Sequence, residues 1–266
     1  MRCFSLAAVF IFTSTSLIAQ EINCGPRFTA MANTGVAMQD IWSMQSNQAG
    51  LAILRQTSVA AAFQSHFFNS GISTQSLIVA VPYHHNVFAL SWQTYGLAEY
   101  REHRAALALA KDFGGSVFSA LNFSLHQLSI NSYGTALAWS FEAGLQYKVA
   151  DNVILGTHIS NPSRNSYEQG ASTLPASVEF GATWKSSVNL LLSSAITKNL
   201  RGESGLGCGI EYSLEKRFSL RGGIFTNPLQ QFAGLGFNRS SLRIDLAVAV
   251  HPSLGYSPQV SLGYEF

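Results

Sequence analysis

Charge is what this sequence has least of. Only 11% of its 266 residues are Asp, Glu, Lys or Arg, while 47% are hydrophobic. An ordinary soluble domain carries about a quarter charged residues, so the shortage points to a membrane as the solvent. Long hydrophobic runs are missing as well. Beyond the first 20 residues nothing approaches the roughly 18 consecutive apolar positions that a spanning helix needs, and insertion as helices is excluded. In lipid every backbone N–H and C=O must find a partner inside the protein, which leaves a closed β-barrel as the spanning architecture.

Other absences narrow the function. The formal net charge is only +2, and nothing suggests a nucleic-acid partner. No H-E-x-x-H or paired C-x-x-C occurs, and His84 and His85, adjacent in a short turn, point apart, so no metal or other cofactor is expected. Ser124 and His126 share one face of a strand without a positioned third partner, so no catalytic residue is assigned. Of three cysteines, Cys3 falls in the leader. Cys24 and Cys208 are read as unpaired, with Cys208 in the outward phase beside Leu206 and Ile210.

The chain begins with Arg2, an apolar run from Leu6 to Phe12 and small polar residues leading to Ala19-Gln20. This is the layout of a secretory signal, expected to be cleaved after about residue 20. No cysteine follows at a lipoprotein position, so no lipid anchor is expected.

From residue 57 the sequence divides into about 14 short alternating segments, an even number as single-chain barrels usually have. In the clearest, Leu137, Trp139, Phe141, Leu145 and Tyr147 alternate with Ala138, Ser140, Glu142, Gly144 and Gln146. Since strand side chains point to opposite faces in turn, one set faces lipid and the other the lumen. A soluble sandwich also alternates, and the connections decide between them. Short ones (84–86, 114–115, 150–152, 186–187, 215–216, 239–241) alternate with longer ones (96–103, 161–175, 199–203, 227–231), as periplasmic turns alternate with extracellular loops in outer-membrane barrels. Tyr83, Phe113, Tyr147, Trp184, Tyr212, Phe237, Tyr264 and Phe266 all lie beside short turns or at the end of the chain, where they form one interfacial girdle.

The inward phase collects Glu142, Glu179, Glu211, Arg221, Arg243, Asp245 and Glu265. Charges of both signs in a narrow lumen pair across strands and rigidify the wall; a polar path lined by the same groups is the functional alternative. Phe28 to Leu54, rich in Ala, Met and Gly, has no period-2 pattern and reads as short helical or irregular structure, placed in the lumen as a plug or beneath the barrel. The expected organisation is a signal peptide at 1–20, a plug or hatch segment at 21–56 and an all-β transmembrane antiparallel barrel at 57–266, in the outer membrane of a Gram-negative bacterium.

Two stretches resemble a known family. Gly35-Val36-Ala37-Met38-Gln39-Asp40, followed by Asn47-Gln48-Ala49-Gly50-Leu51-Ala52, is similar to the N-terminal signature of FadL-type barrels and their PorV/PorQ relatives, with Gln48 in place of the usual proline. Leu155 to Pro162, followed by Leu174-Pro175-Ala176-Ser177-Val178-Glu179-Phe180, resembles a strand, Asn-containing loop and Leu-Pro strand start of PorV/PorQ-like proteins. The resemblance implies a 14-strand barrel, with Asp40 and Asn47 as plug contacts. It also implies one of two roles. A PorV/PorQ-like protein is a non-enzymatic accessory of type IX secretion, whose partners are secretion-system components or secreted cargo. A FadL-like protein is a passive channel for hydrophobic small molecules. The accessory role is the first expectation and the channel the second; a structural barrel with a closed lumen is the third. Each has outer-membrane lipids as neighbours.

Overall fold

A computed structural model describes residues 25–266 apart from 69, 168–172, 201, 203 and 216. The expected signal segment and Cys24 lie outside the described residues. Fourteen antiparallel strands follow one another around a closed barrel in which β1 lies beside β14. They are β1 Ser58–Ser65, β2 Ser73–Tyr83, β3 Asn86–Gly96, β4 Tyr100–Phe113, β5 Val117–Ile130, β6 Gly134–Ala150, β7 Val153–Ser160, β8 Ser177–Lys185, β9 Leu190–Asn199, β10 Ser204–Leu214, β11 Phe218–Phe225, β12 Gln230–Arg239, β13 Leu242–His251 and β14 Gly255–Glu265. Ser58–Gln64 against Glu265–Gln259 closes the ring, so the sheet has no free edge, as lipid requires.

The period-2 pattern of the sequence is the inside-outside pattern of the wall. On β6, Leu137, Trp139, Phe141, Leu145 and Tyr147 are exposed on the outside, whereas Ser140, Glu142 and Gln146 are buried. Leu90, Leu107, Leu121, Leu125 and Leu262 are likewise exposed. In water an apolar belt of this extent is an aggregation surface; in lipid it is the matched face. Cys208 also lies exposed, as a free thiol.

The connections sort by length only in part: the two longest, 66–72 and 161–176, lie at one end, but 131–133 and 252–254 at that end are as short as 114–116 at the other. The gap 97–99 is shorter than the sequence suggests, because β4 already begins at Tyr100 and pairs Arg101, Glu102 and His103 with Gly96, Tyr95 and Thr94. These polar residues resemble a loop, yet the wall simply continues past the apolar band. β4 and β5 have 14 residues each and β6 has 17, against the roughly 9–11 needed to cross, so the wall is taller on this side. At the short-turn end Tyr83, Phe113, Tyr147, Trp184, Tyr212, Tyr264 and Phe266 are exposed. Phe237 is half-buried because its ring packs against Phe218, centroids 5.2 Å apart.

The N-terminal segment fills the lumen. It forms a short helix, α1 (Pro26–Ala30), and three 3₁₀ turns, Gly35–Ala37, Ile41–Gln45 and Gln48–Ile53. Phe28, Met31, Trp42, Met44 and Leu51 are buried with the wall residues Ala60, Ala80, Ala89, Ala106, Ala108 and Ala120 in one cluster. Most of the large side chains belong to the plug and most of the small ones to the wall, with Ile78, Val87 and Phe118 as large wall residues, so that a chain segment and a closed sheet fit into one narrow cylinder.

Candidate functional site

The site begins with how the plug is held. Asp40 precedes the second 3₁₀ turn, where its Oδ1 accepts the Trp42 N–H at 2.7 Å and its other oxygen accepts Arg27 at 2.7 Å. A side-chain oxygen satisfying an orphan N–H at the start of a helical turn is ordinary capping; here the same carboxylate also ties two parts of the plug together. Arg27 reaches on to the wall, donating from Nε and Nη2 to the two carboxylate oxygens of Glu211 at 2.8 Å each. Burial opposes its charge, but Glu211 and Asp40 outweigh burial and raise its pKa above the ordinary arginine value.

From Glu211 the network runs along the wall. Arg221 donates to Glu211 at 2.6 Å and to Asp245 at 2.5 Å. Arg243 stands 4.0 Å from Asp40 and 3.8 Å from Glu265. Six of the charges marked in the sequence, Asp40, Glu211, Arg221, Arg243, Asp245 and Glu265, therefore converge on one sector of β10–β14, with Arg27 at the centre. Pairing at this density is what keeps buried charges ionised.

Glu142 lies elsewhere, across the lumen on β6. It accepts Gln48 Nε2 at 2.7 Å and Arg104, with His158 Nε2 at 3.3 Å. Glu179 stands opposite His158 on the neighbouring strand β8, and its Oε1 accepts the Thr197 hydroxyl at 3.2 Å. Gln48, which replaces the proline of the family motif, is thus a polar plug contact, a role that a proline side chain cannot fill.

Asn47 locks the plug backbone to the wall. Its Nδ2 reaches the carbonyls of Val36 at 2.7 Å, Thr157 at 3.2 Å and Leu145 at 3.3 Å, and its Oδ1 accepts the Ala49 N–H at 3.1 Å. Gln146 reinforces the lock by donating to Val36 O and Met38 O at 3.1 and 2.9 Å. The contact is possible only against glycine. A Cβ on Gly144 would lie 2.0 Å from Asn47 Oδ1, and one on Gly156 would lie 2.2 Å from Val36 O.

Arg27, Arg104 and Gln146 carry no motif, and the sequence analysis does not single them out. The inward phase of β6 is the one signal that finds Gln146. Arg104 directly follows the segment taken for a loop.

Above the plug, at the long-loop end, an apolar patch lines the lumen beside Glu102, Arg104 and His126 on the inward faces of β4 and β5. Leu128 and Ala138, inward on β5 and β6, are buried together with Tyr167 and Leu174 from the 161–176 connection, flanked by Tyr100, Ile130 and Ala136. The connection is knotted by Asn161, whose amide donates to Asn165 O at 3.2 Å and Leu174 O at 3.3 Å while its Oδ1 accepts the Asn165 N–H at 3.0 Å. Among the described residues no group of three or more metal-ligating side chains comes together.

The class defined by a closed barrel with an apolar outer face and a filled lumen is the outer-membrane β-barrel. Solved structures with the same fold are the TodX monoaromatic hydrocarbon channel in a deltaS2S3 mutant form (TM-score 0.76, 13% identity, 91% of this chain and 99% of that one), the toluene transporter TodX of Pseudomonas putida (0.68, 13%, 91% and 98%) and a FadL homologue of Pseudomonas aeruginosa (0.66, 12%, 91% and 98%). At these identities the likeness establishes the fold, a closed 14-strand antiparallel β-barrel. No protein-family pattern and no curated protein matches the sequence.

Proposed function

We propose that the barrel is a conduit that admits small hydrophobic molecules to the outer membrane and the periplasm. The observation that carries this reading is the apolar patch at the mouth. An aqueous pore has a polar, hydrated interior, whereas here Leu128 and Ala138 face inward and are covered by Tyr167 and Leu174. An apolar ligand can replace these side chains like for like, gaining about 25 cal/mol for each Å² it removes from water. That the solved structures of this fold include hydrocarbon channels supports the same reading over the secretion-accessory role, which rests on the sequence motifs alone.

Tracer toluene uptake by cells producing the protein tests it. Uptake above that of cells without the protein is expected, with a roughly tenfold loss in Leu128→Asp, since about 1.4 kcal/mol of lost contact is a decade. If uptake is unchanged by the protein while its removal from the native host arrests protein secretion, the accessory role is the correct one.

A further inference from the structure

At the short-turn end, between the β10–β11 turn, the β12–β13 turn and the end of β14, lies a cavity of about 430 Å³. Its walls carry three guanidiniums, Arg217, Arg239 and Arg243, two carboxylates, Glu215 and Glu265, and the hydroxyl of Ser240. Arg243 is already engaged, with Asn238 Oδ1 at 3.2 Å and with Glu265 and Asp40 as above. Arg217 and Arg239 are not: among the described residues neither side chain has a hydrogen bond or an ion pair, and Glu215 is within ion-pair reach of neither. The pocket is built on fixed backbone. The Asn238 N–H donates to Arg217 O at 2.7 Å and the Glu265 N–H to Ser241 O at 2.9 Å, both continuing the strand ladders.

Unpaired guanidiniums gathered in one concavity repel one another until an anion joins them, and the guanidinium fork fits phosphate oxygens two at a time. The height of the pocket indicates which anion. Phe218 follows Arg217 directly and pairs with Phe237, and the Tyr264 and Phe266 rings pair at 5.0 Å on the neighbouring wall. These aromatics belong to the interfacial girdle, the level at which headgroups lie. We propose that this pocket, at the rim of the wall, holds the phosphodiester of an anionic phospholipid from the periplasmic leaflet, with its acyl chains passing over the rim to the two lipid-facing aromatic pairs. Basic pockets at this depth recognise anionic headgroups, and three guanidiniums against two carboxylates leave a net positive charge for one.

Native mass spectrometry of the detergent-purified barrel, equilibrated with equal amounts of phosphatidylglycerol and phosphatidylcholine, tests the proposal. Wild type retains phosphatidylglycerol in preference. The double variant Arg217→Gln/Arg239→Gln loses that retention at least about tenfold, as removal of two interfacial arginines implies. Arg101→Gln, exposed at the opposite end of the wall, behaves as wild type. Equal retention by wild type and the double variant overturns the proposal, as does equal retention of the two lipids. Binding of inorganic phosphate with the same arginine dependence but no lipid retention assigns the pocket to a free anion and overturns the lipid site.

Discussion

Single residues decide how firmly the plug sits, and Asn47 is the clearest. Its amide bridges the plug carbonyl of Val36 and the wall carbonyls of Leu145 and Thr157, so Asn47→Ala strands buried acceptors on both sides. A loss of about 1–3 kcal/mol is expected, read as faster proteolysis of the plug segment in the detergent-purified protein; protection equal to wild type would show that Gln146 alone suffices. Asn47 is visible in the sequence through its Asn-Gln-Ala-Gly-Leu setting. Arg27 is not, because its partner Glu211 lies 184 residues away and nothing local marks a residue whose role is fixed by closure of the barrel. His66 carries a different prediction. Its Nε2 is 2.7 Å from the Thr74 hydroxyl, and burial lowers its pKa to about 4 from an ordinary 6.5. Between these values the opened β1–β2 connection binds a proton that the closed one refuses, so closure is fully favoured above pH 6.5 and weakens as the pH falls toward 4. Imidazole NMR shifts should place the His66 titration near the lower value, and a midpoint near 6.5 would mean that the ring is solvated.

Elements differ in how much of themselves they reveal. Strands β5, β6, β8 and β13 are legible because a wall with lipid on one face and side chains on the other imposes period 2 directly on the residues. The girdle is legible for the same reason, since membrane interfaces select aromatics at one height. The 3₁₀ turns of the plug are not, because turns of three to six residues are held by wall contacts rather than by any repeat of their own. The start of β4 misleads because its polar residues stand above the apolar band. Close approach of two elements is the least visible of all. Gly156 looks like any strand glycine, yet the plug carbonyl of Val36 occupies the space where its Cβ would be. Gly156→Val is therefore expected to push the Gly35–Ala37 turn away from β7, at a penalty of about 1–3 kcal/mol typical of overpacking. The barrel should still fold, as judged by strand circular dichroism, while the plug becomes accessible to protease. Retained protection would mean that the wall, not the plug, yields.

The whole molecule is a cylinder filled by its own N-terminal segment, and a barrel acting as the proposed conduit must loosen that segment to pass anything. Three kinds of contact hold it: the apolar cluster around Phe28, Trp42 and Leu51, the hydrogen bonds of Asn47, Gln48 and Gln146, and the charge network through Arg27. They respond differently to perturbation. Apolar packing weakens smoothly as contacts are trimmed, whereas removing one member of a buried ion pair leaves an uncompensated charge, at about 3–5 kcal/mol. Arg27→Gln strips Asp40 of its 2.7 Å partner and removes one of the two arginines on Glu211. Asp40 is then left with Arg243 at 4.0 Å, too distant for a hydrogen bond. Because Arg221 still joins Glu211 to Asp245 within the wall, the barrel itself should stay intact and the loss should fall on the plug. In planar bilayers wild type is expected to remain closed to ions, and Arg27→Gln to show intermittent openings with an unchanged barrel melting temperature. Adding Glu211→Gln removes the carboxylate that Arg27 leaves half-paired, and should restore part of the closed time. If Arg27→Gln stays as silent as wild type, the network is only a support for the wall, and the apolar cluster with the Asn47, Gln48 and Gln146 hydrogen bonds keeps the lumen shut.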